Sequence, residues 1–216
     1  MENARRIKII NEIANSVTHG IGALLAIAAL VLLIVFACIY GNVWHVVSFS
    51  IYGSALVMLY LASTLYHSVQ KTRPKYILRI IDHSAIHLLI AGTYTPFMLV
   101  TLQGNKGWAM FGVIWALAVA GILYKVFFIN RHVVISSLFY LAMGWLIIFS
   151  IRDLFTNLPL NGVILLGVGG LSYTLGMIFY ACRDRLFMHA IWHLFVLGGS
   201  ICHFFSILFY VLPLKS

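Results

Sequence analysis

The chain has 216 residues, of which 62% are hydrophobic and only 9% are charged. An ordinary soluble domain is about 45–50% apolar and about 25% charged, so this composition excludes a soluble globular domain. The 14 basic residues outnumber the 5 acidic ones. They lie in short gaps between apolar runs rather than on a solvated basic face, which argues against a nucleic-acid partner. The sequence therefore predicts an integral membrane protein.

Seven apolar runs follow one another, each near the roughly 20 residues that a helix needs to cross a membrane. They are too long for barrel strands of about 10 residues and show no alternation of apolar and polar positions. We therefore predict an all-α bundle of seven transmembrane helices, forming one domain over residues 1–216. The predicted helices are Val17–Tyr40, Val43–His67, Ile80–Leu102, Trp108–Phe128, Val133–Ile151, Leu160–Ala181 and His189–Leu212.

The basic residues also predict the orientation of the bundle. Eleven of the 14 fall on one side of the predicted membrane, in the N-terminal segment and every second gap, and only Lys106, Arg152 and Lys215 fall on the other. Basic residues collect on the cytoplasmic side of membrane proteins, so we predict a cytoplasmic N-terminus and an outside C-terminus in the cell membrane. Residues 1–16 have apolar and polar positions at helical spacing, which predicts an amphipathic lead-in on the cytoplasmic side.

Proline and glycine mark two further features of the predicted helices. Pro96 lies inside the third helix, where it is expected to cause a kink or to remove a backbone hydrogen bond. Glycines are frequent in the sixth and seventh helices, for example Gly169 and Gly199. Because no strand precedes them, we interpret them as close helix contacts rather than as a phosphate-binding loop.

Ionisable residues inside membrane spans are costly, so each calls for a partner or a role. Four of them, His67, Asp82, His189 and His193, lie at the predicted cytoplasmic ends of their helices and therefore at similar depth. His189 and His193 are four residues apart on one helix face, as are Ser63 and His67. A third histidine beside an i, i+4 pair gives the three-imidazole set that binds zinc and leaves its fourth position open for water.

These positions predict a zinc site with His67, His189 and His193 as ligands. Asp82 is then a proton-accepting carboxylate, and Ser63 lies one turn deeper, where it can position a carbonyl or water. Isolated membrane histidines more often bond one helix to another, and we interpret His45 and His132 in that way.

Several further polar residues have positions that leave their roles open. Glu12, Asn15 and His19 share one helix face and are placed to close the polar cluster from below. His203 lies ten residues beyond His193, about 15 Å deeper, and is too far away to join the same site. The residues whose roles remain open are Glu12, Asn15, His19, His83, His87 and His203.

The combined pattern resembles a known family. Glu12-x₂-Asn15-x₂-Thr18-His19, Ser63-x₃-His67, Asp82-His83 and His189-x₃-His193 together are similar to the hemolysin III proteins of bacteria. These belong to the progestin and adipoQ receptor superfamily, which is related to the alkaline ceramidases. The resemblance implies a seven-helix bundle with zinc at the three histidines, and Ser63 and Asp82 beside it.

The same resemblance leaves more than one function open. The first hypothesis is a zinc-dependent hydrolase of lipid amide or ester bonds, with a role in membrane-lipid homeostasis and a membrane lipid as substrate. The alternatives are a pore-forming, haemolytic membrane protein and a lipid-sensing regulator in which zinc is structural. The outer halves of the helices carry almost no polar residues, which argues against a monomeric pore. The sequence leaves the oligomeric state open.

Overall fold

The computed structural model describes residues 2–129, 131 and 133–212, and all regular elements in this part of the chain are helical. Seven of its spans are long and apolar enough to cross a membrane, which confirms the predicted seven-span fold. The α-helices are α1 (Glu2–Tyr40), α2 (Val43–Ser68), α3 (Thr72–Pro96), α4 (Gly104–Phe128), α5 (Val133–Trp145), α6 (Ile151–Asn157), α7 (Leu160–Ala181) and α8 (Met188–Ser206).

The fifth span consists of two α-helices rather than one. A short 3₁₀ segment, Leu146–Ser150, joins α5 to α6, and the span continues to Asn157. The sequence prediction ended it at Ile151, because charged residues follow. One of these, Asp153, pairs with Lys106 at the start of α4.

Helix α1 is continuous from the N-terminal segment through the first span. Its 39 residues are about 58 Å long, well beyond the roughly 30 Å of a hydrocarbon layer. The predicted lead-in is therefore not a separate helix but the first turns of α1. In this part Ile7, Ile10 and Ile13 are about half exposed, whereas Asn15 on the opposite side is buried against the bundle. The polar face of the lead-in thus faces protein.

Pro96 is the last residue of α3, as the lack of a proline N–H predicts. The following residues, Phe97–Leu102, form a π-helical segment, as do Ile207–Val211 after α8. Pro96 therefore ends the regular helix, and the span continues with a wider turn.

The helices pack as a ring in which α1 lies between α2 and α8, while α7 packs along α8. At several points this packing requires glycine, and Gly169 and Gly199 are two examples. A methyl group at Gly169 would clash with the ring of His203, and one at Gly199 would lie 2.7 Å from the ring of Tyr173. These contacts support the interpretation that the glycines allow α7 and α8 to approach closely.

Candidate metal centre

Helices α2 and α8 bring three histidines together at one end of the bundle. His67 lies in the last turn of α2, and His189 and His193 lie one turn apart at the start of α8. One ring nitrogen from each lies within 4.8 Å of those of the other two, so the three residues form a group that could hold a metal ion. His67 and His193 are buried, with 5% and 0% exposure.

The ring of His67 is oriented by Glu12 on α1. The Nδ1 atom of His67 lies 2.6 Å from Oε2 of Glu12, and Nζ of Lys75 lies 2.8 Å from Oε1 of the same carboxylate. Because a carboxylate accepts, Nδ1 must carry the proton in this bond. The other nitrogen, Nε2, then has a free lone pair, and it is buried without a hydrogen-bond partner among the described residues.

The ring of His193 is oriented in the same way by the main chain of α1. Its Nδ1 donates to the carbonyl oxygen of Asn15 at 3.2 Å and lies 3.1 Å from Oγ1 of Thr18. Thr18 in turn donates to the carbonyl oxygens of Ala14 and Asn15, which leaves its oxygen free to accept. Nε2 of His193 is therefore the unprotonated nitrogen, and it too is buried without a partner in the described chain.

This donor set fits a metal ion. Two buried imidazole nitrogens that carry lone pairs and have no partner are costly, and a cation would satisfy both. A histidine ligand whose second nitrogen donates to a carboxylate or a carbonyl is the usual arrangement in metal sites. With His189 as the third nitrogen donor, the set has the composition of an open zinc site.

His19 extends the histidine group. Its ring stacks on that of His193, with 3.4 Å between ring centres and 13° between planes. Both of its nitrogens are buried and have no partner in the part of the chain that the structure describes. The sequence placed this residue on a face with Glu12 and Asn15, where it could close the polar cluster from below. The structure stacks it on His193, beside the group of three histidines.

Asp82 is buried on α3 beside the group. Its Oδ2 atom is 3.4 Å from Nδ1 of His83, and the carboxylate is within electrostatic reach of His19, His67 and His189. Asp82 is thus close to the histidines, as its predicted depth required.

Ser63 is also buried, one turn from His67 on α2, but the described cavity lining does not include it. Its predicted contact with a substrate or water stays a prediction.

A long apolar cavity of about 410 Å³ lies beside the histidine group; His19 and Asp82 line it, whereas His67, His189 and His193 are not among its lining residues. The near end is lined by His19, Asp82, Tyr180 and Trp192, and the rings of Tyr180 and Trp192 both contact His189. The far end reaches the other end of α7, at Leu160. Twenty residues separate Leu160 from Tyr180, so the cavity extends about 30 Å along the bundle.

The cavity reaches the side of the bundle. Ile148 and Phe155 of the fifth span line it on one side, and Leu160 and Ile164 of α7 line it on the other. All four are also at least half exposed on the outer surface of the bundle. The wall of the cavity between the fifth span and α7 therefore lies at the outer surface of the bundle.

The remaining histidines lie apart from the group of three. His203 donates through Nε2 to the carbonyl oxygen of Leu166 on α7, so it bonds across helices. His45 likewise lies against another element, with its Nε2 atom 3.3 Å from the carbonyl oxygen of Val211. His132 lies outside the described residues.

His83 and His87, which form the i, i+4 pair on α3, have different surroundings. His83 is next to Asp82, and its Nδ1 donates to the carbonyl oxygen of Arg79 at 2.9 Å. His87 points away towards α4 and α5, where its ring centre lies 4.5 Å from that of Tyr140. Neither belongs to the group of three histidines.

Sequence reasoning missed three parts of the site. Glu12 pairs with Lys75 and so joins α1 to α3. The two residues are 63 positions apart, a spacing from which no contact can be predicted. The bond from the main-chain N–H of Phe187 to Oδ1 of Asn11 ties α1 to the turn before α8. In the sequence, Tyr180 and Trp192 are indistinguishable from other aromatic residues of membrane helices. Only the tertiary structure shows that they line the cavity.

Comparison with known proteins agrees with the residue pattern. The sequence matches the family described as "Haemolysin-III related" over residues 7–204. It is 52% identical to Hemolysin-3 of Bacillus cereus, covering 95% of this chain and 94% of that protein. It is also 52% identical to the Hemolysin-3 homolog of Bacillus subtilis (strain 168), covering 92% and 93%.

A more distant match extends to animals. The chain is 29% identical to the human monocyte to macrophage differentiation factor, covering 90% of this chain and 82% of that protein. The chain is therefore a multi-pass membrane protein that belongs to the haemolysin-III-related family, within the progestin and adipoQ receptor superfamily.

Proposed function

We propose that this protein is a zinc-dependent hydrolase of amide or ester bonds in membrane lipids. The observation that carries the proposal is the group of three histidines beside an apolar cavity, to which His19 and Asp82 connect it. The unpartnered Nε2 atoms of His67 and His193, together with His189, would hold the ion. When bound, zinc supplies a Lewis acid that polarises a carbonyl and activates water.

In this proposal Asp82 moves the proton. Hydrolysis of an amide forms a bond between the carbonyl carbon and the water oxygen and breaks the bond between that carbon and nitrogen. The carboxylate of Asp82 accepts a proton from the attacking water and returns it to the leaving nitrogen, so that an acid and an amine are released. His83, 3.4 Å away, stabilises the negative form of the carboxylate between turnovers.

The cavity explains the choice of lipid substrates. Its length of about 30 Å and its apolar lining suit an acyl chain, and its wall between the fifth span and α7 lies at the outer surface of the bundle. The carbonyl would then lie near His19 and Asp82. Burial of the acyl chain would exclude water from the cavity except at the end where the carbonyl reacts.

The first experiment measures metal in the purified full-length protein. We expect about one zinc per chain in the wild type and almost none in His193→Ala. His45→Ala is the matched control, because it removes another buried imidazole outside the group and should retain zinc. A well-folded wild type without metal would refute the proposal.

The second experiment separates a catalytic site from a structural one. We expect Asp82→Asn to keep its zinc and to lose at least about 100-fold in lipid-amide or lipid-ester hydrolysis, the usual range for a lost proton acceptor. Asp184→Asn makes the same chemical change at an exposed position and should keep its activity. If His193→Ala loses its zinc but the wild type shows no lipid turnover, the metal instead has a structural role and joins α2 to α8.

A second candidate function comes from the name of the relatives, hemolysin-3, which points to membrane lysis. The apolar lining of the cavity does not favour a water-filled path through one chain. Release of a dye from vesicles that contain the purified protein tests this function. Release that is unchanged in His193→Ala would separate it from the histidine group.

A further inference from the structure

Three hydrogen-bonded hydroxyls, which we call the hydroxyl cluster, join α2, α7 and α8 in the middle of the bundle. The hydroxyl of Tyr60 donates to Oγ of Ser200 at 2.8 Å, and the hydroxyl of Tyr173 lies 2.9 Å from the same Oγ atom. Ser200 is seven residues beyond His193 on α8, or about 10 Å deeper. Polar groups inside membrane spans are costly, so the cluster calls for a role.

The hydroxyl cluster has one hydrogen more than its bonds use. Three hydroxyls carry three hydrogens, and the two bonds that join them use two. Neither Ser200 nor Tyr173 donates its hydroxyl to any further atom of the described residues, and a buried donor without an acceptor is costly. Of the three residues, Tyr173 alone lines the apolar cavity. When Ser200 donates to Tyr173, the spare hydrogen is that of Tyr173, and an acceptor in the cavity can bond it.

His203 on α8 offers an acceptor next to this donor. Its Nε2 donates to the carbonyl oxygen of Leu166 at 3.1 Å, so Nδ1 of the neutral ring is the unprotonated nitrogen. Nδ1 is buried and has no hydrogen-bond partner in the part of the chain that the structure describes. His203 also lines the cavity, and its ring centre lies 5.4 Å from that of Tyr173. One small polar group in the cavity can therefore contact both side chains.

The donor on Tyr173 and the acceptor on His203 together favour a neutral hydroxyl as the ligand group. A hydroxyl both accepts and donates, whereas a carbonyl would leave Nδ1 of His203 unpaired and an ammonium would leave the hydrogen of Tyr173 unpaired. A carboxylate has no hydrogen to donate, and no Lys or Arg among the described residues lines the cavity to offset its charge.

The depth of this site gives the position of the hydroxyl on its ligand. The neighbouring lining is apolar and includes Leu166, Gly170 and Val196, so the hydroxyl belongs to a hydrocarbon chain. His203 follows His193 by ten residues on one helix, or about 15 Å. An extended chain advances about 1.25 Å per carbon, from a bond of about 1.52 Å and an angle near about 111°. A carbonyl beside the histidine group therefore corresponds to a hydroxyl at about carbon 12.

From these contacts we propose that the cavity binds a lipid chain that carries a hydroxyl group near its middle, bonded by Tyr173 and His203. The position at about carbon 12 rests on the proposed function, because that function places the reacting carbonyl beside the histidine group. The hydroxyl site itself does not depend on hydrolysis. It makes lipids with a hydroxylated acyl chain the preferred substrate class.

The test compares binding of three acids to the purified full-length protein in detergent, by competition with radiolabelled octadecanoic acid. The acids are 12-hydroxyoctadecanoic acid, its 6-hydroxy isomer and octadecanoic acid itself. We expect the 12-hydroxy acid to bind about tenfold more tightly than octadecanoic acid, the size of one or two net hydrogen bonds. The 6-hydroxy isomer places its hydroxyl against apolar lining and should bind no better than octadecanoic acid.

Tyr173→Phe removes the spare donor and keeps the ring. We expect the preference for the 12-hydroxy acid to fall to about threefold or less in this variant. Tyr52→Phe is the matched control, because the hydroxyl of Tyr52 donates to the carbonyl oxygen of Ser200 at 3.3 Å and Tyr52 does not line the cavity. It should keep the preference. Melting temperatures show whether both variants are folded, and the comparison of the isomers in the wild type needs no variant.

Zinc content and lipid hydrolysis are measured on the same samples, so that the two proposals can fail separately. A preference for the 12-hydroxy acid in a protein without zinc or turnover would refute the hydrolase and support the hydroxyl site. Equal binding of the three acids, or no binding, in a protein that hydrolyses lipids would overturn the hydroxyl site. A preference that is unchanged in Tyr173→Phe would overturn it as well, and a preference for the 6-hydroxy isomer would overturn the predicted depth.

Discussion

Glu12 holds His67 in place through a short bond, and its replacement tests how α1 supports the histidine group. Glu12→Gln keeps the size of the side chain and one acceptor oxygen but removes the charge. The affected distances are 2.6 Å to Nδ1 of His67 and 2.8 Å to Nζ of Lys75, both in the range of strong charge-assisted hydrogen bonds. The carboxylate is only 15% exposed, so solvent screens it weakly.

The expected magnitude follows from this geometry. Loss of a partner that orients a metal-binding histidine usually costs about 10–100-fold in metal affinity, or about 1.4–2.8 kcal/mol. Because Lys75 already shares the negative charge of Glu12, we expect the lower part of this range, about tenfold. Lys75→Met leaves the bond to His67 in place and should change the affinity less.

The assay is a zinc competition titration of the purified protein against a chelator of known affinity. Glu2→Gln is the matched control, since it makes the same change in the same helix at an exposed position. Zinc affinity within twofold of the wild type in Glu12→Gln would refute the role of this carboxylate. An equal loss in Glu2→Gln would show that the effect is one of general charge.

Two other substitutions test the packing and the second oriented ring. Gly121→Ala should destabilise the protein by about 1–3 kcal/mol, because the methyl group would clash with His87, whereas Gly112→Ala on the same helix meets no atom within 4 Å and should be neutral. Melting temperatures of the two variants in detergent compare them directly, and an equal fall in both would contradict the clash. Thr18→Val removes an oxygen 3.1 Å from Nδ1 of His193 but leaves the carbonyl bond of that ring in place. Zinc affinity in the same chelator titration should fall less than threefold, and a larger fall would show that the hydroxyl is the main acceptor.

The transmembrane spans could be predicted well because the signal is local. A run of about 20 apolar residues identifies a helix whatever its neighbours are. The ends of the spans could be predicted less well. The fifth span was predicted to end at Ile151, yet it continues to Asn157, and Asp153 within this extension pairs with Lys106. That pairing is a tertiary contact, and no local sequence pattern predicts it.

The candidate site likewise has a part that the sequence predicts and a part that only the tertiary structure shows. His189 and His193 share a helix face by spacing alone, and the seven-span topology placed His67 at their depth. The three residues could therefore be identified from the sequence. In the structure one ring nitrogen of each lies within 4.8 Å of those of the other two. Spacing could not decide whether His83 or His87 joined them, because that depends on how α3 is rotated against its neighbours.

The sequence by itself thus determined the class of protein, the number of spans and the residues at one depth, since these depend on hydrophobicity and helical periodicity. Only the tertiary structure decided which ring nitrogens have no partner within the described part of the chain, because the bonds to Glu12 and Asn15 come from a different helix. It alone also decided that a cavity lies beside the histidine group, lined by His19 and Asp82. Cavities and charge compensation depend on the relative rotation and approach of whole helices, and these are set by packing between residues far apart in the chain.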